Sequence, residues 1–349
     1  MKINRTELLT ALDTCKPALA TSTNRAIELT HFWLDGDFIS AYNGRLGIVC
    51  PFGSGDIRGG VPATALAWLE KTEGNDAEIT TRGKDLIIKV FDAHATFAML
   101  EANKQILKPS LDLIEGTGIE VDQTLLSGLK NVLVSLDPKS ATPARMGAFF
   151  VPGYGYLDIY STDDSTISWF KVKLPDNYPL ESHIVIPTGF IEQLLKVLPE
   201  GGDEALFVHE HAVVVVNAQG VMVIGNLVDC PIMPEFFGTL QPYEVKHYNE
   251  VPVPANLPYA LDRVMLVPNK QTEFSVEAGI LYIISEAKGT TRFEEAMTVT
   301  DKHPNITEFF DPELIHRALS GRVSMYIEQG RLCLKGPDGF VHLIAASER

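Results

Sequence analysis

Six segments of the chain share one spacing of apolar residues, in which two adjacent apolar residues are followed by a third, four positions after one of the pair. This spacing places all three side chains on one face of a helix. The segments contain Leu8/Leu9 with Leu12, Ala65/Leu66 with Leu69, Leu125/Leu126 with Leu129, Phe190/Ile191 with Leu194, Ala260/Leu261 with Val264, and Leu314/Ile315 with Leu319. The sequence therefore predicts six amphipathic helices.

The predicted helices recur at nearly even intervals. Their apolar pairs begin at residues 8, 65, 125, 190, 260 and 314, so that neighbours are 54 to 70 residues apart. Pro62, Pro187 and Pro312 stand near the start of every second helix, where proline is tolerated because the N–H it lacks has no partner in a first turn. A unit of about 60 residues is therefore repeated six times.

Between the helices, apolar and polar residues alternate and glycine-containing turns interrupt the alternation, which is typical of antiparallel hairpins. The predicted strands cover 26–34, 37–42, 85–91, 212–217, 221–224, 325–328 and 331–335. Helices combined with antiparallel sheets define an α+β fold. Two units in each domain give three predicted domains, at residues 1–117, 118–248 and 249–349.

The composition is that of a globular protein with more than one domain, since 45% of the 349 residues are apolar and 21% are charged. Cys15, Cys50, Cys230 and Cys333 stand far apart and without zinc-site spacing, which favours a reducing compartment over disulfides or a structural metal. The N-terminus lacks an apolar signal core, and no run of 18 apolar residues occurs. We therefore expect a cytoplasmic chain without membrane contact.

Three short motifs raise the question of catalytic or metal chemistry. His209-Glu210-His211 could supply two metal ligands from one strand face, but the sequence offers no third ligand, so a solvated strand face is the stronger interpretation. Gly153-Tyr154-Gly155-Tyr156 predicts a hairpin turn, and Asp163-Asp164 predicts a turn with no nucleophile beside it. No cofactor is predicted and no motif favours an enzyme.

Several stretches, taken in order, resemble the bacterial-type DNA polymerase III beta sliding clamp. They are Met1-Lys2-Ile3 to Leu9, Ser182 to Pro187 leading into Phe190 to Leu195, and Asn226 to Phe236, which is similar to the family's "LVDGxFPDY" segment. Two stretches differ: Thr162 to Thr166 stands where the family has "TDGHR", and Ala345 to Glu348 where it has "MPMR". Such divergence suits a phage-encoded member.

The resemblance implies a DNA-clamp fold and a non-enzymatic function. A family clamp closes around duplex DNA as a head-to-tail homodimer, is placed there by a clamp loader, and tethers the replicative DNA polymerase. Its helices line the bore and its sheets form the outer wall. The net charge of −16 argues at first sight against DNA binding, but an acidic outer surface is compatible with a weakly basic bore. The alternative is a clamp-fold decoy or regulator that binds clamp-interacting proteins without encircling DNA.

Each predicted helix carries a basic residue that could face DNA in the bore. These residues are Arg5, Lys71, Lys130, Lys196, Arg263 and Arg317. Most stand toward the C-terminal end of a helix, where a cation also offsets the helix dipole, so helix capping is an equal alternative. Arg25 matches a loop residue that contacts DNA in the resembling family, and an ordinary exposed loop arginine is an equal alternative.

Ring closure is expected to join the last strand of the first domain to the first helix of the third. The resemblance places Phe97 and Met99 opposite Leu266 and Val267, and the alternative is that these residues are internal core. Joining two edge strands would also cover exposed sheet edges.

Partner proteins bind family clamps through a short extended peptide that enters an apolar pocket. The matching positions here are Arg145, Thr162, Ile167, Pro234, Leu240 and Leu343. Burial of an apolar anchor contributes about 1.5 to 3 kcal/mol per side chain. Core packing is the alternative explanation for Ile167 and Pro234.

Overall fold

The computed structural model describes residues 1–21, 26–108, 114, 118–174, 180–198, 204–235, 237, 240, 243, 249–267, 269, 271–287, 291–299 and 304–347. The described residues fall into two compact units. One is drawn from Met1–Gln123 and Gly189–Leu227, and the other from Thr124–Asp176, Leu180–Thr188 and Val228–Arg349.

All six predicted helices are confirmed. They are α1 Arg5–Cys15, α2 Thr64–Glu70, α3 Gln123–Val132, α4 Thr188–Val197, α5 Leu257–Val264 and α6 Pro312–Ala318. Both members of the apolar pair are buried in α2 to α5, and one member is buried in α1 and α6. Two starts are capped by side chains: Asn4 accepts the Thr6 amide at 2.8 Å, and Asp311 accepts the Glu313 amide at 3.0 Å.

The first unit contains two antiparallel sheets. Its four-stranded sheet has the order β1 Lys2–Asn4, β6 Asp76–Arg82, β7 Asp85–Val90, β8 Ala93–Ala98. Its eight-stranded sheet has the order β5 Arg58–Pro62, β2 His31–Asp35, β3 Phe38–Tyr42, β4 Leu46–Pro51, β16 Met222–Asn226, β15 Ala212–Val216, β14 Ala205–Val208, β9 Ile119–Glu120.

The second unit repeats this composition. Its eight-stranded sheet has the order β13 Ile184–Pro187, β10 Gly147–Pro152, β11 Tyr156–Thr162, β12 Thr166–Lys173, β24 Val341–Ala345, β23 Arg331–Lys335, β22 Ser324–Glu328, β17 Val251–Pro252. Its four-stranded sheet has the order β20 Thr291–Thr298, β19 Ile280–Ala287, β18 Thr272–Glu277, β21 Ile306–Phe310. Helices packed beside antiparallel sheets confirm the α+β class.

Each eight-stranded sheet consists of two four-stranded halves that meet at one antiparallel seam. The first seam joins β4 to β16 with Gly47 opposite Ile224, and the second joins β12 to β24 with Ile167 opposite Leu343. Both seams join strands that the sequence assigns to different predicted domains. The predicted boundaries after residues 117 and 248 therefore do not interrupt these sheets, and the division into three domains stays a prediction.

Two details of the sequence interpretation are wrong. The strand expected over 26–34 begins only at His31, because Ile27–Thr30 forms a 3-10 turn whose Ile27 carbonyl binds the Thr30 hydroxyl at 2.8 Å. The sequence His209-Glu210-His211 lies in the turn between β14 and β15 and not on a strand face, since the His209 amide closes that turn on the Ala212 carbonyl at 2.8 Å. No helix in the described part of the chain is both long enough and apolar enough to cross a lipid bilayer.

Candidate functional site

Three of the basic residues predicted to face DNA are already engaged within the protein. Arg5 donates to the Leu69 carbonyl and to Thr72 Oγ1. Arg263 donates to both carboxylate oxygens of Glu295, at 2.6 and 2.7 Å. These contacts neutralise or occupy the guanidinium groups, so the two arginines offer less attraction to a phosphate than a free cation does.

Arg317 on α6 is engaged in the same way. Its Nη2 donates to Asp163 Oδ2 at 2.8 Å, and the Asp163 side chain is largely buried. Arg317 therefore connects α6 to the turn between β11 and β12.

The three predicted lysines differ from the arginines. Lys71, Lys130 and Lys196 are exposed, and among the described residues none of them forms an ion pair or a side-chain hydrogen bond. Lys130 lies in the last turn of α3, a helix without acidic residues. The lysines are the cations that remain available for phosphate. Arg25 lies outside the described residues.

The predicted interface residues of the first unit lie at the edge of its four-stranded sheet. Phe97 on β8 is half-buried and packs edge-on against Trp68, with ring centroids 6.3 Å apart. Met99 follows β8 and covers Gly59, where a Cβ atom would stand only 2.8 Å from the Met99 methyl group. Both side chains are partly accessible at this edge.

The predicted interface residues of the second unit differ in accessibility. Leu266, just after α5, is 82% exposed, whereas Val267 is buried within its own chain at 4% exposure. Leu266 is thus a large apolar side chain that the described part of the chain leaves in water, and burial of Val267 favours the core explanation for that residue.

The six residues predicted to bind a partner peptide all lie in the second unit, and we call them the partner groove. Ile167 on β12 stands opposite both Thr162 on β11 and Leu343 on β24. Thr162, Leu240 and Leu343 are buried, and we refer to them as the floor of the partner groove. Arg145, Ile167 and Pro234 are half-buried and reach the surface.

An aromatic cluster supports the floor of the partner groove. Leu240 and Leu343 belong to this cluster, and Ile167 packs against it. Phe237 stacks on Tyr160 with centroids 4.6 Å apart, and Pro234 accepts the Phe237 amide at 3.2 Å. Phe237 is not among the predicted site residues. The sequence Pro234 to Phe237 does not show whether an aromatic side chain lines the partner groove or packs beneath it.

The residues Asp163-Asp164 form the predicted turn, and they also have a role that the sequence did not reveal. Asp163 binds Arg317, and Asp164 forms an ion pair with Arg145. Arg317 lies 154 residues from Asp163 in sequence, and Arg145 lies in the 3-10 turn before β10, so only the folded chain brings these charges together.

A buried histidine lies on β24 beside the partner groove. The Nδ1 atom of His342 is 2.7 Å from Ser168 Oγ and 3.4 Å from Ser135 Oγ. Burial, followed by the positive charges of Arg322 and Arg317, lowers the pKa of His342 to about 3. The ring is therefore neutral at physiological pH. The signal for this residue in the sequence is a polar side chain within the apolar stretch Val341 to Ile344.

Arg322 is a second buried titratable group in this region. Its guanidinium lies 3.9 Å from the centroid of the Phe340 ring and donates to Asn131 Oδ1 at 3.1 Å. Burial lowers the pKa of Arg322 to about 10, so this side chain keeps its charge at neutral pH.

The described residues hold no cluster of three or more His, Cys, Asp or Glu side chains that could bind a metal ion. His211 and Glu210 are strongly exposed and stand 3.5 Å apart. The Gly153-Tyr154-Gly155-Tyr156 motif forms the predicted hairpin turn, closed by the Gly153 amide on the Tyr156 carbonyl at 2.7 Å.

The chain is similar in structure to bacterial sliding clamps over its whole length. The DNA polymerase sliding clamp from Bacillus subtilis matches with a TM-score of 0.85 at 17% identity, over 100% of this chain and 98% of the other. The DNA polymerase III beta subunit from Thermotoga maritima matches with a TM-score of 0.83 at 16% identity, over 100% of this chain and 99% of the other. The DNA polymerase sliding clamp from Caulobacter crescentus matches with a TM-score of 0.83 at 16% identity, over 100% of this chain and 99% of the other.

The fold is therefore that of the bacterial DNA polymerase sliding clamp, as the resemblance implied. The amino-acid sequence itself matches no protein-family model and no curated protein.

Proposed function

We propose that this protein is a DNA sliding clamp, a processivity factor that closes around duplex DNA as a head-to-tail homodimer and tethers a replicative polymerase. The observation that carries the proposal is the pair of free sheet edges, β8 and β20. Neither strand has a neighbour on its outer side among the described residues.

The strand order supports pairing between the β8 edge and the β20 edge. The sheet β21-β18-β19-β20 repeats the order of the half-sheet β13-β10-β11-β12, and the sheet β8-β7-β6-β1 repeats the order of β24-β23-β22-β17. In the complete sheet, the two halves join through β12 and β24, which are the strands equivalent to β20 and β8. Pairing β20 of one chain with β8 of a second copy therefore builds another eight-stranded sheet.

Each chain carries one β8 edge and one β20 edge, so two copies form two identical seams and close a dimer. Each seam also removes two exposed strand edges from water. The partly accessible Phe97 and Met99 at the β8 edge and the exposed Leu266 supply the apolar contacts beside the seam.

A closed ring is retained on DNA by topology, so strong phosphate binding is unnecessary. The net charge of −16 agrees with this reasoning, because acidic surface away from the DNA weakens unspecific adhesion. A clamp carries out no chemical step. The partners proposed for this protein are duplex DNA, a replicative polymerase, a clamp loader and a second copy of the chain. Replication in bacteria or phage-infected cells places such a protein in the cytoplasm.

Retention on circular and linearised DNA tests the proposal. Protein loaded onto a nicked circle by a bacterial clamp loader is expected to stay bound through gel filtration in high salt, because the ring has no end to slide off. Linearising the same DNA with a restriction enzyme is expected to release it. Equal retention on the circle and the linear form would contradict the proposal.

The free lysines give a second expected result. Replacing Lys71, Lys130 and Lys196 together with glutamine is expected to weaken DNA association and to lower its salt slope by roughly 1 for each lysine that contacts phosphate. The matched control replaces Arg5, Arg263 and Arg317 with glutamine, and we expect a smaller change in slope because these side chains are occupied within the protein. Titration of fluorescent duplex DNA across salt concentrations measures both slopes, and a larger effect in the arginine variant would assign the phosphate contacts to the arginines.

A clamp-fold decoy is the second candidate function. The internal pairing of Arg263 and Arg317 favours it, because a decoy needs no cations in a bore. A decoy keeps the partner groove and binds clamp-interacting peptides, but it is not retained on circular DNA after loading.

A further inference from the structure

The turn that follows Thr162 is held by hydrogen bonds. Thr162 Oγ1 accepts the Asp164 amide at 3.1 Å and donates to the Thr166 carbonyl at 2.9 Å. Asp163 Oδ1 accepts the amides of Ser165 at 3.1 Å and Thr166 at 2.7 Å. These hydrogen bonds fix the backbone of the turn. The Asp164 carboxylate is carried by this backbone, at the edge of the partner groove.

Asp164 has a left-handed backbone conformation, with a φ of 73°. Glycine adopts this conformation most readily, and among other residues asparagine and aspartate tolerate it best. The Asp164 side chain forms an ion pair with Arg145. The side chain at this position therefore has an interaction that a glycine could not make.

The ion pair presents its negative side to the solvent. The Asp164 side chain is 56% exposed, whereas that of Arg145 is 32% exposed. The neighbouring cation, Arg317, is occupied by Asp163 at 2.8 Å. The Arg317 side chain is 44% exposed, but its guanidinium is paired with Asp163. A molecule that approaches the other pair therefore meets the Asp164 carboxylate before it meets the Arg145 guanidinium.

We infer that Asp164 is a specificity residue of the partner groove, and that the partner peptide carries a lysine or arginine beside its apolar anchors. An acidic residue at the same place is repelled by Asp164 and finds Arg145 already occupied. This inference rests on the proposed function, because it requires the groove to bind an extended peptide.

The variant Asp164→Asn separates charge from conformation. Asparagine tolerates the left-handed backbone and has nearly the same shape, but it removes the negative charge and releases Arg145. Glu277→Gln is the matched control, since it removes one exposed carboxylate of the same unit at the end of β18, away from the partner groove. Circular dichroism and solution mass verify that each variant keeps its fold and assembly.

Fluorescence anisotropy with capped nine-residue peptides provides the measurement. Each peptide carries the same two leucines and one variable residue, Lys, Gln or Glu, placed in turn on either side of the leucines. For the unchanged protein at low salt, we expect the best lysine peptide to bind roughly fivefold more tightly than its glutamate counterpart. The difference is expected to shrink in 0.5 M salt.

The variants decide between the outcomes. In Asp164→Asn the lysine preference is expected to disappear and the glutamate peptide to gain affinity, while Glu277→Gln keeps the original ranking. An unchanged ranking in Asp164→Asn overturns the charge selection and leaves the partner groove intact. If none of the leucine peptides binds the unchanged protein, the partner groove itself is refuted, and this inference with it.

Discussion

Replacing Leu266 with lysine is expected to convert the proposed dimer to monomers. The side chain is exposed in the single chain, so the substitution costs the folded monomer little, whereas in the closed ring it lies beside the proposed seam. Burial of a leucine contributes about 1.5 to 3 kcal/mol, and a closed dimer contains the contact twice. The dissociation constant is therefore expected to rise by roughly two to four orders of magnitude.

Sedimentation velocity over a range of protein concentrations measures this change. The matched control is Val323→Lys, which places the same charge on another exposed apolar residue of the second unit, and we expect it to leave the dimer unchanged. Dimerisation of Leu266→Lys at the same concentration as the unchanged protein would exclude Leu266 from the interface.

Acid is expected to destabilise the second unit through His342. The pKa of the folded protein's buried ring is lowered to about 3, whereas the ordinary value of 6.5 applies after unfolding. Between these values the unfolded chain binds one more proton than the native chain, so the free energy of unfolding falls as the pH decreases. The slope from this group is about 1.4 kcal/mol per pH unit, and the contribution is fully present above pH 6.5.

The variant His342→Asn isolates this contribution. The asparagine amide oxygen can accept the Ser168 hydroxyl in place of Nδ1, but it takes up no proton. Urea unfolding at pH 7, 6, 5 and 4 is expected to give a shallower loss of stability for this variant than for the unchanged protein, even if its stability at pH 7 is lower because of the smaller side chain. The exposed His211 gives a control variant, His211→Asn, with the original slope. Parallel pH profiles for His342→Asn and the unchanged protein would mean that His342 is not the group responsible.

The helices and hairpins were readable from the sequence because their signals are local. Apolar residues at helical spacing identify a helix without reference to the rest of the chain. Glycine turns such as Gln329-Gly330 identify a hairpin in the same local way. The seams were not readable, because β4 pairs with β16 across about 170 residues of chain. The alternation in a strand specifies which side is buried but not which strand lies next to it.

The sequence supplies the residues of the candidate site only through the resemblance, and their role in binding stays a prediction. The residues of the partner groove follow from the resemblance, but the pairing of Asp163 and Asp164 with two distant arginines depends on the tertiary structure. The same holds for Arg263, whose position on a helix suggested a free cation and whose neighbour on β20, Glu295, binds it. When a charged side chain pairs with an opposite charge in the folded protein, the sequence alone overestimates the charge that this side chain presents at the surface.

The two seams inside the chain and the proposed seams between chains differ in how they respond to dilution. Strands that belong to one polypeptide meet at an effective concentration set by the chain that connects them, whatever the amount of protein present. Strands on separate polypeptides have no such tether, so their encounter depends on how much protein is present. In the proposed ring, a force or a clamp loader is therefore expected to separate β8 from β20 of the other copy first, whereas the seams at β4 and β12 stay joined by their own chain.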